Sequence, residues 1–549
     1  MTRNSVGTSF ELDRRTLLTG AAAAGAAVAV GITAASAAPG SAPARSMRMQ
    51  DDEPTIIIGT LGEAQTINPF LSADESESDF RCKMLYDQFV HINPGTYAPE
   101  PGIAASWTID NLTFTFKIQP NATFADGSDL TADDVAFTYE QYLDPANASP
   151  RSGKFMVVKG AQEYADGTAD SISGITVVDP KTISIELTEP NAAFLFNQSL
   201  IFVVPKALVG DQTGPDASFY DAPVGAGPYK FVSWAVGSDF VAEANEHYWQ
   251  EGKPAIKSFT HRVIADANSL VLALESGDID GSNYPAPTAR DQLQANDNLQ
   301  VIIPPFASPN GWMFNTTVPA LSTAEARLAI AMALDTATFA ADSLLGMGAP
   351  GNGPIAPDSW AFYKDLTPIP YDVEKAKELL ATAGVEEGTK IRFNVNQGNV
   401  LREDWLTFTQ QALKEIGIDV QPDLLEYATL SDQVVNQGDY EVTGVDFCGV
   451  TAEPSELYDQ FHSDSPGNYS KISDPELDDL LEQARRELDL DAAKEIYEKI
   501  QVRMLEVVPM FFAWYRPFLN VVRVGYEGFT PSAEYTLFQT LEDWTYTAP

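Results

Sequence analysis

Four histidines, His91, His247, His261 and His462, stand singly along the chain. None lies within H-E-x-x-H spacing of another, so the close ligand set that zinc requires is missing. The two cysteines, Cys82 and Cys448, exclude a disulfide framework and any C-x-x-C pattern. They leave open one long-range bridge or two separate thiols. Ser276 to Gly281 (SGDIDG) repeats carboxylates, but its spacing fails the calcium-loop rule and reads as a helix stop and turn. Gly346 to Gly351 fits G-x-G-x-x-G by letter. It follows a helical stretch and contains a proline, so the strand-to-helix setting of a dinucleotide site is lacking. There is no G-x-S-x-G, and no histidine beside a plausible nucleophile. Paired carboxylates are plentiful, as chance dictates in an acidic chain. The chemistry on offer is non-covalent binding, with no cofactor and no metal expected.

A chain of 549 residues, 44% hydrophobic, has length for two to three lobes. Its formal charge of −43 repels nucleic acid and anionic membrane surfaces. The acidity is spread along the whole sequence. It reads as the solvated surface of an extracellular or salt-adapted protein before it reads as a pocket for a cation.

The most informative stretch runs from Thr113 to Leu143. Phe114, Phe116 and Ile118 alternate with Thr115, Lys117 and Gln119, which puts apolar groups on one face of a strand. Pro120 ends it and Asp126-Gly127 supplies a turn. Thr131 then caps a helix, with Asp134 reaching back as a capping box and Val135, Tyr139 and Tyr142 as the core stripe. Further helices are expected at 79–91, 325–338, 373–383, 475–488 and 492–508, the third capped by Asp372 and stopped by Gly384. Leu401, Trp405, Phe408, Leu413 and Ile416 share the face of another. Strands are expected at 55–60, 175–178, 182–187, 200–205, 390–395 and 419–422.

The string from Thr113 to Leu143 resembles the marker segment of the family 5 extracellular solute-binding proteins, the dipeptide and oligopeptide-binding class of ABC importers. The aromatic pair, the DG turn and the TADDV cap recur there in one order. PEPGIAASW ahead of it, Val224 to Phe231 (VGAGPYKF), Asn245 to Trp249 (NEHYW), Ala273 to Asp280 and the C-terminal helices are similar to further family segments. At Gly225-Ala226-Gly227-Pro228 glycine lets two backbones approach where a Cβ would clash. The resemblance implies an α/β fold of the periplasmic-binding-protein-like type II class (cluster C): two main lobes, an extra subdomain and a hinged cleft. It implies lobe I from 54–97 and 223–304, the extra subdomain over 98–222, and lobe III over 305–508. Residues 509–549, led by the strand Pro509 to Tyr515, are expected to return to lobe I. Val301 to Pro309 (VIIPPFASP) is the expected crossover between lobes.

Asp13 to Leu18 (DRRTLL) resembles a twin-arginine export signal, and Ala35-Ser36-Ala37 fits the small-x-small cleavage rule. Residues 1–37 read as that signal peptide and 38–53 as a flexible leader. No cysteine near the cleavage site offers a lipid attachment point, so a periplasmic or extracellular location is expected.

By the same resemblance, Glu63 and Gln65 belong to a loop that lines the cleft in peptide-binding members. Arg151 takes a ligand-facing position, with a surface arginine as the alternative. Trp312 opens the far lobe and is expected at the guest. Of the aromatics Phe511, Phe512, Trp514 and Tyr515, mostly core, Trp514 is the one expected to face the cleft. Asp446, Phe447 and Cys448 belong to the cleft wall. Aligned to Glu453-Pro454, Val450 replaces the aspartate that receives a peptide's α-ammonium, a charge pairing that valine cannot make. Val435 and Gly444 stand where those binders carry arginines. The implied partners are ABC permease subunits and a small solute, be it a modified peptide, an opine or an oligosaccharide, bound by a monomer. The alternatives are a secreted hydrolase and a non-transport solute receptor of the same fold.

Overall fold

The computed structural model describes residues 53–72, 77–215, 217–306, 309–446, 453–533 and 536–548. The export-signal and leader segment up to residue 52 therefore lies outside the described residues. Among those described, no helix is long and apolar enough to cross a membrane.

Three sheets carry the fold. The strand Thr55–Thr60 lies inside a seven-stranded sheet, parallel to Ser258–Val263 on one side and to Gly281–Asn283 on the other. Its isoleucines divide between two cores, Ile56 and Ile58 into one and Ile57 into another, as the two-residue period of a strand requires. The run Thr113–Ile118 lies in a four-stranded antiparallel sheet between Ala104–Asp110 and Thr182–Glu186. Phe114, Phe116 and Ile118 enter the same core as Ile56, so these two sheets share one hydrophobic body. The following helix, Ala132–Leu143, starts as its sequence dictates: the Thr131 N–H and hydroxyl both donate to the Asp134 carboxylate, at 2.8 and 2.7 Å.

The third sheet has six strands and cores of its own. Trp312 and Phe314 of the strand Asn310–Phe314 enter one core, and Met313 enters the other. Met510–Tyr515 pairs with Asn310–Phe314 in this sheet and alternates likewise, Phe511 and Ala513 on one face, Met510 and Phe512 on the other. The expected return strand is thus misassigned: Met510–Tyr515 is interior to the six-stranded sheet. The chain re-enters the seven-stranded sheet only at Asn520–Arg523, after residues 516–519. The other passage between these sheets lies between Leu299–Ile302 and Asn310–Phe314, in the proline-bearing segment.

Three further expectations need correcting. The helix expected over 79–91 spans Glu77–Tyr86, because Asp87 adopts a left-handed φ of 62° and Val90–Ile92 is a strand. The helix expected over 325–338 is two, Ala324–Met332 and Thr336–Ser343, since Asp335 caps the second through the Thr338 N–H at 3.1 Å. Residues 200–205 form no strand beyond a single bridge, Gln88 to Phe202. Gly225 and Gly227 are required where they stand. A Cβ at either would fall 2.1 or 2.4 Å from the carbonyl oxygen of Leu85 or Met84.

Candidate functional site

The helix Glu77–Tyr86 buries all ten of its residues, four of them charged. A buried charge persists only when it is paired and hydrogen-bonded, and each of the four is. Glu77 accepts from the Thr60 hydroxyl at 2.6 Å and lies 2.9 Å from His261 Nε2. Asp79 accepts from the Ser72 hydroxyl at 2.5 Å and meets the Arg151 guanidinium, also at 2.5 Å. Arg81 pairs with Glu63 at 2.9 Å and lies against the rings of Trp234 and Phe240, 5.1 and 4.8 Å from their centres. Loss of hydration holds the Arg81 pKa below its ordinary value, partly offset by the Glu63 charge. Lys83 donates to the Gln539 carbonyl at 2.5 Å and lies 3.3 Å from Glu542.

This helix anchors the loop that precedes it. The Gln65 and Thr66 N–H groups converge on the Ser78 hydroxyl, at 3.0 and 3.4 Å, and Tyr86 donates to the Ile67 carbonyl at 2.9 Å. The second Glu63 oxygen accepts from the Gly237 N–H at 2.6 Å. Both Glu63 oxygens are therefore engaged, whereas the Gln65 side chain is exposed to solvent.

A cavity of ≈480 Å³ lies where the first hydrophobic body faces the body of the six-stranded sheet. Pro150, Gly153, Lys154 and Val157, with Asn191, Ala193 and Asn197, line one side; part of the stretch from Ser455 to Gly467, with Arg485, lines the other. Lys154 forms an ion pair with Glu456 across this boundary. Arg485 lies over the Tyr458 ring, 4.5 Å from its centre. Just ahead of this wall, desolvation pushes the Glu453 carboxyl up, partly offset by the Ser455 N–H that donates to it at 2.9 Å. The cavity thus offers charges of both signs beside amide groups such as Asn191 and Asn197.

The residues singled out from sequence do not all gather at this wall. Arg151 adjoins it in the chain, but its guanidinium is buried against Asp79. Trp312 and Trp514 are placed elsewhere: both indoles are closed inside the six-stranded sheet's core. Trp312 donates to the Thr409 hydroxyl at 2.9 Å, and Trp514 packs on Trp405 and Phe339. Neither presents surface to a guest: Trp312 points into that core from its strand, and Trp514 joins Phe511 and Ala513 there, past the register shift opposite Asn310 and Gly311. Asp446 ends the strand Val442–Asp446, its backbone paired with Asn310, while Phe447 and Cys448 lie outside the described residues, as does Val450. Sequence reading passed over Lys154 and Arg485. Lys154 lies in the same PRSGKF string as Arg151, but its partner Glu456 is 302 residues away.

Residues 98–469 match the family described as bacterial extracellular solute-binding proteins, family 5. That span is more than half of the chain, and the protein belongs to this family. It is a substrate-binding protein of the kind that serves ABC importers, with the mixed α/β fold of periplasmic binding proteins. It is 28% identical to the oligopeptide-binding protein AppA of Bacillus subtilis over 485 residues, 84% of this chain and 86% of that protein. It is 27% identical to the glutathione-binding protein GsiB of Escherichia coli K12, covering 81% and 86%. Among solved structures, the ABC transporter substrate-binding protein CtaP of Listeria monocytogenes superimposes with a TM-score of 0.80 at 26% identity, over 91% of this chain and 100% of that one. AppA in complex with a nonapeptide gives a TM-score of 0.76 at 26% identity, over 90% and 100%.

Proposed function

We propose that the protein captures a peptide-like solute between its two hydrophobic bodies and hands it to an ABC permease. The observation that carries this reading is the cavity whose opposite sides come from those two bodies and carry both signs of charge. A solute bearing ammonium and carboxylate groups is matched by such a wall through charge-assisted hydrogen bonds. A neutral oligosaccharide is not, whereas an opine shares the charges of a peptide. The oligopeptide-binding name of AppA and the glutathione-binding name of GsiB support the same choice. Val450 in place of the aspartate that meets the α-ammonium argues for a guest held otherwise than by a free amino terminus. On this reading Gln65 and the segment Asp446, Phe447 and Cys448 border the guest, while Arg151 holds the fold beside it through Asp79, and binding proceeds without turnover.

Two passages between the sheets, through residues 303–306 and 516–519, suit a hinge. A guest shuts a hinged pair only by binding the shut form better than the open one. We further propose export by the twin-arginine route, on Arg14 and Arg15, and action as a monomer.

Thermal-shift screening of the chain from residue 38 tests the reading, using free, N-acetylated and C-amidated peptides, an opine and neutral oligosaccharides. A guest at a hundred times its Kd adds about 2.7 kcal/mol to stability, enough to raise Tm by a few degrees. Peptides are expected to do so, N-acetylated ones included. Stabilisation by neutral sugars alone would overturn the proposal.

A further inference from the structure

The boundary between the two hydrophobic bodies is crossed by direct contacts of a specific kind. Lys154 lies in the short helix Ser152–Phe155, whose Phe155 belongs to the first body. Its partner Glu456 opens the helix Glu456–Phe461, whose Leu457 and Phe461 belong to the other. A second contact stands beside it. The helix Pro475–Arg486 ends at Arg486, and the carbonyls of a last helical turn have no donors within their own helix. The carbonyl of Arg485 is satisfied from across the boundary, by the Ala192 N–H at 2.9 Å. Arg486 reaches Glu189 on the same segment at 3.6 Å, steadied by Glu482 at 2.6 Å. Pro190, between Glu189 and Asn191, fixes its own φ and so limits the shapes this strip can take.

We infer that Lys154 and the strip Glu189–Ala192 form a two-point clasp that positions the bodies against each other, so that closure is held by protein contacts as well as by the guest. The Lys154–Glu456 pair is half-buried on both sides, at 27% and 26% exposure, where salt screens it less than at the surface. The Glu189–Arg486 pair is exposed and steers more than it holds. The Ala192 to Arg485 hydrogen bond exists only when the bodies meet, so the Ala192 amide reports the clasp directly. This inference rests on the hinged reading above and not on which solute is bound.

Amide hydrogen exchange of the full chain, read by mass spectrometry on peptides covering residues 188–196, tests it. Residues 55–60 in the seven-stranded sheet serve as the folding control. Lys154→Glu and Glu456→Lys are each expected to speed exchange at Ala192 by about fivefold or more. The doubly reversed protein should return it to within about twofold of wild type. In the wild type, raising NaCl from 0.05 to about 1 M should accelerate the same amide, while residues 55–60 exchange no faster. Arg486→Gln, a milder change at an exposed site, should produce a smaller acceleration and serves if either reversal unfolds the control. Unchanged Ala192 exchange in the variants that keep the control protected would overturn the clasp. So would failure of the double reversal to restore it. Absence of any stabilising peptide would overturn the proposed solute class and leave these exchange results standing.

Discussion

The Arg151 guanidinium stands 2.5 Å from the Asp79 carboxylate, and both side chains are closed to all but a trace of solvent. The other Asp79 oxygen is taken by the Ser72 hydroxyl. Removing one member of such a pair strands a buried charge, which costs about 3–5 kcal/mol. Arg151→Met is therefore expected to lower unfolding stability by about that much in denaturant titration. Adding Asp79→Leu should recover most of the loss. A single variant of wild-type stability that merely failed to bind solute would show instead that Arg151 serves the guest and not the fold.

Asp474 caps the helix Pro475–Arg486 through the Leu477 N–H at 2.9 Å and is gripped by both arms of Arg503, at 2.9 and 2.7 Å. The Arg503 hydrogen bonds hold its carboxyl below the usual value of 3.8, against the opposing pull of burial. A carboxyl whose folded pKa is depressed lends stability above its unfolded pKa and loses it as pH falls through the folded one. Asp474→Asn keeps a capping oxygen but weakens the Arg503 bonds, and is expected to cost about 1–2 kcal/mol near neutrality. The gap between variant and wild type should narrow below pH 3.8. A gap of constant size from pH 7 to pH 2, by thermal unfolding, would refute the ion-pair contribution.

Much of the fold was legible in sequence, and the reasons are local. Thr113–Ile118 alternates because one face is buried, and Thr131 and Asp134 sit at cap spacing, so both elements declare themselves. The helix Glu77–Tyr86 declares itself in sequence but not its bounds or its setting, since it is buried on every side and its charges find partners far along the chain. Met510–Tyr515 reads as a buried strand, but a run buried on both faces does not say which sheet holds it. The site was legible only in part for the same reason. Arg151 stands in a family-like string, whereas its pairing with Asp79 and the contact of Lys154 with Glu456 depend on long-range folding.

The formal charge of −43 sets 77 acidic residues against 34 basic ones. Repulsion among them opposes compaction, and salt screens it over about 10 Å at 0.1 M. Calorimetry from 0.02 to 0.5 M NaCl is expected to show Tm rising by several degrees. Chloride-induced destabilisation across that range would mean that surface ion pairs outweigh the net repulsion.

Trp312 separates a core role from a ligand role most cleanly. Its ring meets Phe393 edge-on at 5.0 Å and stacks on Trp405 at 6.0 Å, and its N–H is satisfied by Thr409. Trp312→Phe removes ring volume and strands the buried Thr409 hydroxyl, a loss of about 1–3 kcal/mol. Because no part of the indole reaches solvent, solute affinity should stay within about threefold of wild type. Calorimetric titration with whichever peptide raises Tm, set beside guanidinium unfolding, reads both quantities. Affinity lost by tenfold or more at unchanged stability would place this tryptophan at the guest after all, and the assignment of the six-stranded sheet's inner face would fall with it.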